Sequence, residues 1–367
     1  MDAIKKANTK AVCILTILFA FYHYMQGQIP PINDPNWELV SSKSDEFNEI
    51  FLDETKWIAF DKSDYPWGDG YCFCDEQVYL DDGILYLRVD KKEGYDPECK
   101  YHNVPYYSGG IQSVDHDYSY GYFEIMAKLP GAYINGRPNG KGFWPAFWTY
   151  YVEENDTCRL VHDEIDILEP SGIQYAEANK NVVGWHDEDP DCSIDHIKIG
   201  EFEYTYYQPL FIGYHKYAVE WLPDRIIYYF DDHPFYIEYD HPSMIMQPQY
   251  VVIDQQMQSQ VSVNENMPFP QYMMVDYFHY YELKENCRRL LTILNNSQFE
   301  NYPFGVLDRL VIGNGTSVLF LQNGDNFTLR ASEETIINGD FTVPIGSELN
   351  IIPTPCDYAN YTIRTEL

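Results

Sequence analysis

Basic side chains are scarce in this sequence. Only 24 Lys and Arg stand against 57 Asp and Glu among 367 residues, for a formal net charge of −33. A chain of that sign repels phosphate backbones and anionic lipid surfaces, so neither nucleic acid nor a membrane surface is expected as partner. The charge also weighs against a highly sulfated polymer, unless cations gather locally in a cleft. A neutral ligand is the better first expectation. CxxC pairs are missing too, and the scattered cysteines do not read as a zinc site. Beyond the N-terminal segment, long helical periodicity is also lacking.

What is present begins with MDAIKKANTK. Lys5, Lys6 and Lys10 precede an apolar run from Ala11 to Tyr22, too short to cross a bilayer comfortably. The segment reads as a secretory signal peptide over residues 1–27, with cleavage near Gly27, which predicts a secreted, cell-surface or periplasmic protein with no membrane attachment in its mature form; an uncleaved membrane anchor is the alternative. Cys13 leaves with the signal. Cys72, Cys74, Cys99, Cys158, Cys192, Cys287 and Cys356 remain. Seven is odd, so at least one is unpaired or bridges molecules, while one or more disulfides suit an exported chain of unspecified connectivity.

With 45% hydrophobic and 17% aromatic residues, the chain can bury a large core. Short β-branched and aromatic runs bounded by Gly, Pro, Asn and Asp recur along it, as in GILYLRVDK, GYFEIMAKLP, HKYAVEWLP and RIIYYFDDHP. Leu222, Pro223 and Asp224 mark the turn of a hairpin between the last two. Many strands without interleaved helices predict an all-β protein, an antiparallel sandwich of two large sheets over residues 28–287. From residue 288 to 367 the runs shorten, with Asn-Gly turns between several of them, which suggests a small β-rich accessory module; strands that complete the main sandwich are the alternative.

HDEIDILEP, residues 162–170, poses the chemical question. Glu164, Asp166 and Glu169 interrupt an apolar strand segment with three carboxylates, residues that strands disfavour. In so acidic a chain such spacing is expected about once by chance, so context must decide. On a regular strand Glu164 and Asp166 share a face and Glu169 does not. One β-bulge between Asp166 and Glu169 returns Glu169 to that face and leaves Ile165, Ile167 and Leu168 for the core. Two carboxyls, one ionised and one protonated, are what retaining glycoside hydrolysis requires; a third between them raises a neighbouring pKa and orients the nucleophile. Upstream, KGFWPAFWTYY places Trp144, Ala146, Trp148 and Tyr150 on one face at period two. The tryptophans are either core residues or a platform on which sugar rings stack.

SDEFNEIFLDETKW, LDDGILYLRVDK, GGIQSVDHDYSYGYFEIMAKLPG, GFWPAFWTYY, HDEIDILEP, YHKYAVEWLPDRIIYYFDD and FPQYMMVDYFHYYEL, in that order from about Ser44 to Leu283, resemble glycoside hydrolase family 16. That family includes laminarinases, mixed-linkage glucanases, agarases and carrageenases. The resemblance implies a β-jelly-roll (concanavalin A-like) sandwich and an endo-acting, retaining mechanism. EIDILE matches the E-x-D-x-x-E form, in which Glu164 would be the nucleophile, Asp166 the assisting carboxylate and Glu169 the general acid/base. Trp144, Trp148, His186 and Gln112 would bind substrate. His186 in NVVGWH resembles a cleft histidine on the strand after the catalytic one, and Trp185 beside it would then pack. Departures are His162 and Asp163 before the first catalytic Glu, and Gln112 where many members carry Arg; they bear on substrate rather than reaction. ASEETIINGDFTVPIGSELNIIPTPC resembles C-terminal segments of secreted Bacteroidetes proteins.

The expectation is therefore a secreted, monomeric endo-β-glycanase acting on a polysaccharide: β-1,3-glucan, mixed-linkage glucan or a marine galactan. No cofactor or catalytic metal is required. Structural calcium would suit acidic loops, but no oxygen-ligand spacing singles out a site. A transglycosylase on the same glycans and a non-catalytic glycan-binding sandwich remain open beside the hydrolase.

Overall fold

The computed structural model describes residues 37–64, 66, 70–154, 159–170, 178–188, 197–205, 208–222, 225–238, 247–258, 261–283, 291–293, 306–313, 318–321 and 326–353. The expected signal peptide lies outside the described residues, as do Cys158, Cys192, Cys287 and Cys356.

Period-two patterning becomes two large, largely antiparallel sheets. Among the described residues one has ten strands, with a central path His233–Glu238, Arg225–Phe230, His215–Leu222, Gly121–Lys128, Gln271–Leu283, Ile84–Lys91, Tyr106–Ser108 and Cys72–Phe73. The other has seven, in the order Ile197–Thr205, Ala178–Glu188, Arg159–Leu168, Phe143–Glu154, Tyr250–Met257, Gly110–Ser113 and Trp57–Ala59. The fold is all-β, as the recurring short apolar runs predict. The hairpin also forms: Leu222 remains in its strand and pairs with Arg225.

One core joins the sheets. Phe123, Ile125, Trp221 and Tyr228 come from the larger sheet, and Phe147, Ile165, Ile167, Leu168, Val251 and Ile253 from the smaller; all are essentially buried. Each such side chain contributes roughly 1.5–3 kcal/mol relative to exposure. Gly121 marks a close approach. Its φ is +125°, and a Cβ there would stand 2.7 Å from the carbonyl oxygen of Tyr281, so a larger residue is excluded both by conformation and by space.

Cys72 and Cys99 form a disulfide with Cα atoms 5.6 Å apart, and Cys74 is free and buried. Among the described residues no helix is long and apolar enough to cross a membrane.

The strands after residue 290 pair differently. Leu291–Ile293, Val306–Ile312, Asn326–Ile337 and Glu348–Pro353 form one parallel sheet, and Val318–Phe320 with Asp340–Thr342 a second. Val318 pairs with Asp340 and Asn326 with Glu348, each partner 22 positions along the chain. From Val306 onward the short runs alternate between two small sheets, each later strand lying parallel to the strand before it in its own sheet. Parallel neighbours need such a return path, which a two-residue hairpin cannot supply. The Asn338-Gly339 pair accordingly lies between strands of different sheets rather than within a hairpin.

Candidate active site

The acidic segment occupies the strand Arg159–Leu168, between Phe143–Glu154 and Ala178–Glu188. Directly paired residues project to the same side of a sheet. Glu164 pairs with Tyr150 and Asp166 with Trp148, but Leu168 pairs with Phe147, so Ile167 is an extra residue with no opposite number. This is a β-bulge at the position that the spacing of the carboxylates demands. Ile165, Ile167 and Leu168 are buried in the core, while Glu164 and Glu169 keep partial exposure.

Register extends the same face across the sheet. Trp144, Ala146, Trp148 and Tyr150 pair with Gln256, Asp254, Val252 and Tyr250, and Val252 and Asp254 pair in turn with Gln112 and Gly110. Trp144 donates its indole N–H to Oε1 of Glu169 at 3.1 Å, a contact between the expected platform and the expected acid/base. Trp148 is only 5% exposed and stacks on Tyr150 with ring centroids 5.1 Å apart. On this face of the strand, Trp144 and Tyr150 are the partly exposed rings. The Tyr150 hydroxyl donates to Oε1 of Gln112 at 2.7 Å, which joins Gln112 to the same surface. His186 pairs with Asp163 in the backbone register, and its side chain is outside the described ones.

The carboxyls perturb one another. Burial, reinforced by the negative charge of Glu164, pushes Glu169 up to about 8, against the opposing hydrogen bond from Trp144. Burial and the charges of Glu164 and Glu169 hold Asp166 well above the usual carboxylate range, and it shares a hydrogen bond with Glu164. Glu169, raised in this way, is held toward the protonated form that can donate a proton.

Three further features escaped the sequence reading. His162, noted only as a departure, places Nε2 2.9 Å from Oε2 of Glu164. The alternation that aligns Glu164 with Asp166 also aligns His162, so the signal was present. Asp254 is fully buried and pushed up to about 8 by desolvation, and its charge helps to raise Glu169. Its neighbour Gly110 is small of necessity: a Cβ there would meet that of Asp254 at 2.7 Å. An acid inside YVVIDQQM is the same anomaly as in HDEIDILEP. Last, Tyr250 stacks obliquely on Tyr150 at 5.5 Å and His116 on Tyr250 at 5.2 Å, continuing the ring row from Trp148. Among the described residues no group of three His, Cys, Asp or Glu side chains is arranged to hold a metal ion.

The sequence model of glycosyl hydrolases family 16 matches residues 71–275. The chain belongs to this family. A beta-glucanase of Rhodothermus marinus is 27% identical over 242 residues, which is 64% of this chain and 76% of the relative. Among solved structures, the kappa-carrageenase of Pseudoalteromonas carrageenovora in complex with an oligotetrasaccharide superposes with a TM-score of 0.54 at 21% identity, covering 69% of this chain and 98% of its own. The laminarinase catalytic domain of Thermotoga petrophila RKU-1 gives 0.52 at 24%, covering 68% and 98%. These likenesses establish the family 16 jelly-roll fold for the sandwich. Family membership makes the chain a glycoside hydrolase of an endo-glycanase group and a polysaccharide its class of substrate.

Proposed function

We propose that the protein cleaves a neutral β-linked polysaccharide internally, with retention, by double displacement. Glu164 is the nucleophile, Glu169 the general acid/base and Asp166 the assisting carboxylate. The observation that carries this reading is the split between carboxyls on one face: Glu169 is pushed up to about 8 and bonded to Trp144, while Glu164 is paired with an imidazole.

In the first step Glu164 attacks the anomeric carbon as the glycosidic C–O bond breaks, and the proton of Glu169 goes to the leaving oxygen. Glu169, now ionised, then takes a proton from water, which attacks the glycosyl ester and releases Glu164. Asp166, buried between them and bonded to Glu164, orients the nucleophile. Trp144 and Tyr150 offer ring faces to the sugar, and Gln112 fixes the Tyr150 hydroxyl.

The choice of a neutral polymer is supported by the lining. The described side chains of this face on Gly110–Ser113, Phe143–Glu154, Arg159–Leu168 and Tyr250–Met257 include no Lys or Arg, while Lys198 falls on the same face by register, through Trp185. β-1,3-glucan and mixed-linkage glucan therefore come before sulfated galactans. Export after cleavage near Gly27 belongs to the same proposal and rests on the N-terminal sequence.

Reducing-end release from laminarin, mixed-linkage glucan, agarose, porphyran and κ-carrageenan, with Glu164→Gln alongside, tests the reading. Cleavage of a neutral polymer by the wild type alone is the expected result. Full activity in Glu164→Gln would remove the nucleophile assignment, and exclusive cleavage of a sulfated polymer would remove the neutral-substrate assignment.

A further inference from the structure

The contact between His162 and Glu164 raises a question that the triad leaves open: what keeps a nucleophile ionised in a cluster of acids? Asp166 and Glu169 crowd Glu164 from its own strand, and Asp254 stands two strands away on the same face. Ionisation of Asp166 or Glu169 would oppose the charge of Glu164. The neighbouring strands place Tyr150 and Val152 opposite Glu164 and His162 on one side, and Trp185 and Asp187 on the other. None of these is a cation. Among the described side chains, His162 lies within ion-pair reach, with Nε2 2.9 Å from Oε2.

We infer that His162 is a positioning residue for the nucleophile, holding one oxygen of Glu164 and sustaining its negative charge through both displacement steps. The inference rests on the proposed roles of Glu164 and Glu169. Side-chain exposure is 10% for His162 and 16% for Glu164, so water competes little for the contact, and a charge-assisted bond in such a place is stronger than at the surface. Spacing makes the contact structural rather than incidental. Residues two apart on a strand project to the same side, and the strand is anchored on both flanks. His162 is also held apart from Asp163, whose carboxylate accepts the backbone N–H of Gln247 at 3.1 Å.

The imidazole serves each step in turn. Before attack it favours the carboxylate over the carboxylic acid. When the ester forms, that negative charge is lost and the imidazole faces a weaker acceptor. When water displaces the ester, the returning charge is again stabilised, so His162 assists departure of Glu164 as a leaving group. Loss of His162 should therefore slow both steps and raise the pH at which Glu164 becomes competent.

Two measurements test this on the full chain. The first is the pH profile of kcat/KM for wild type, His162→Gln and His162→Phe on laminarin and mixed-linkage glucan. The acid limb should move up by about one pH unit in His162→Phe with at least a tenfold loss at the optimum, and His162→Gln, which retains a neutral donor, should recover part of both. The second needs no activity: NMR titration of ¹³Cε1-labelled histidines, with His162 assigned from the resonance missing in His162→Gln. The His162 midpoint should fall by about one pH unit in Glu164→Gln. A wild-type acid limb in His162→Phe, or a His162 midpoint indifferent to Glu164→Gln, would overturn the inference. Where a variant at 162 does not fold, or neither glucan is cut, the remaining midpoint comparison decides, with resonance assignment through backbone correlation. Activity surviving in Glu164→Gln would instead strike the nucleophile assignment, a different failure from that of His162.

Discussion

The indole of Trp144 donates to Oε1 of Glu169 at 3.1 Å, binding a ring of the sugar-facing strand to the proposed proton donor. The bond favours the ionised form of Glu169 and opposes the effect of burial. Trp144→Phe removes it while keeping an aromatic face. The pKa of Glu169 should rise further, moving the basic limb of kcat/KM upward, and kcat should fall about tenfold as the carboxyl loses its fixed orientation. A pH-rate series on the cleaved polymer checks both.

The basic limb in the wild type should itself lie near pH 8, because the first step needs Glu169 protonated and its pKa is about 8. The charge of Asp254 contributes to that elevation. Asp254→Asn should therefore move the limb downward, opposite in sign to Trp144→Phe. The pair of shifts, measured on the same substrate, separates an electrostatic origin from general damage to the site.

Stability should depend on pH in the same region. Glu169 and Asp254 both have folded-state values of about 8, above their unfolded values near 4.5 and 3.8. Between those limits the folded chain binds more protons than the unfolded chain, so these two groups make stability fall as pH rises from about 4 to 8. Glu169→Gln or Asp254→Asn should raise Tm at pH 8, by an amount corresponding to about 1–3 kcal/mol, and much less at pH 5. Thermal melts at the two pH values read the difference.

The bulge at Ile167 supports a test by chain length. Deleting Ile167 leaves Leu168 to fill a core position and Glu169 to follow Asp166 at simple alternation, on the same face. The deletion should keep measurable activity while losing about 2–4 kcal/mol from the missing buried side chain. Inserting Ala after Leu168 should instead turn Glu169 away and abolish cleavage. Activity assays and denaturant melts on the two variants distinguish facing from mere disturbance.

The alternation of apolar and polar residues made much of this visible in advance. A strand that must bury Ile165 and Leu168 and still present Glu164 and Glu169 on one face admits few solutions, and the bulge is the simplest. What alternation does not express is distance across strands. Asp254 lies 85 residues beyond Glu169, and only the pairing of Tyr250–Met257 with Phe143–Glu154 brings it to the cluster. Trp148 was legible as a ring on the cleft face, but its burial depends on Tyr150 stacking over it. In the segment after residue 290, short apolar runs and Asn-Gly turns are compatible with either strand direction. The choice of parallel pairing lies in a period of about 22 residues, which becomes evident only when partners are known.

Both large sheets have, near their centre, a strand from late in the sandwich. Gln271–Leu283 lies between Gly121–Lys128 and Ile84–Lys91, and Tyr250–Met257 joins Phe143–Glu154 to Gly110–Ser113. A growing chain that has reached residue 240 therefore holds two half-sheets with open edges and no strand to join them. Assembly must wait for the last fifth of the sandwich, which makes folding slow and dominated by distant contacts. The same order leaves the unfinished chain a long interval in which the central edges of both sheets wait unpaired.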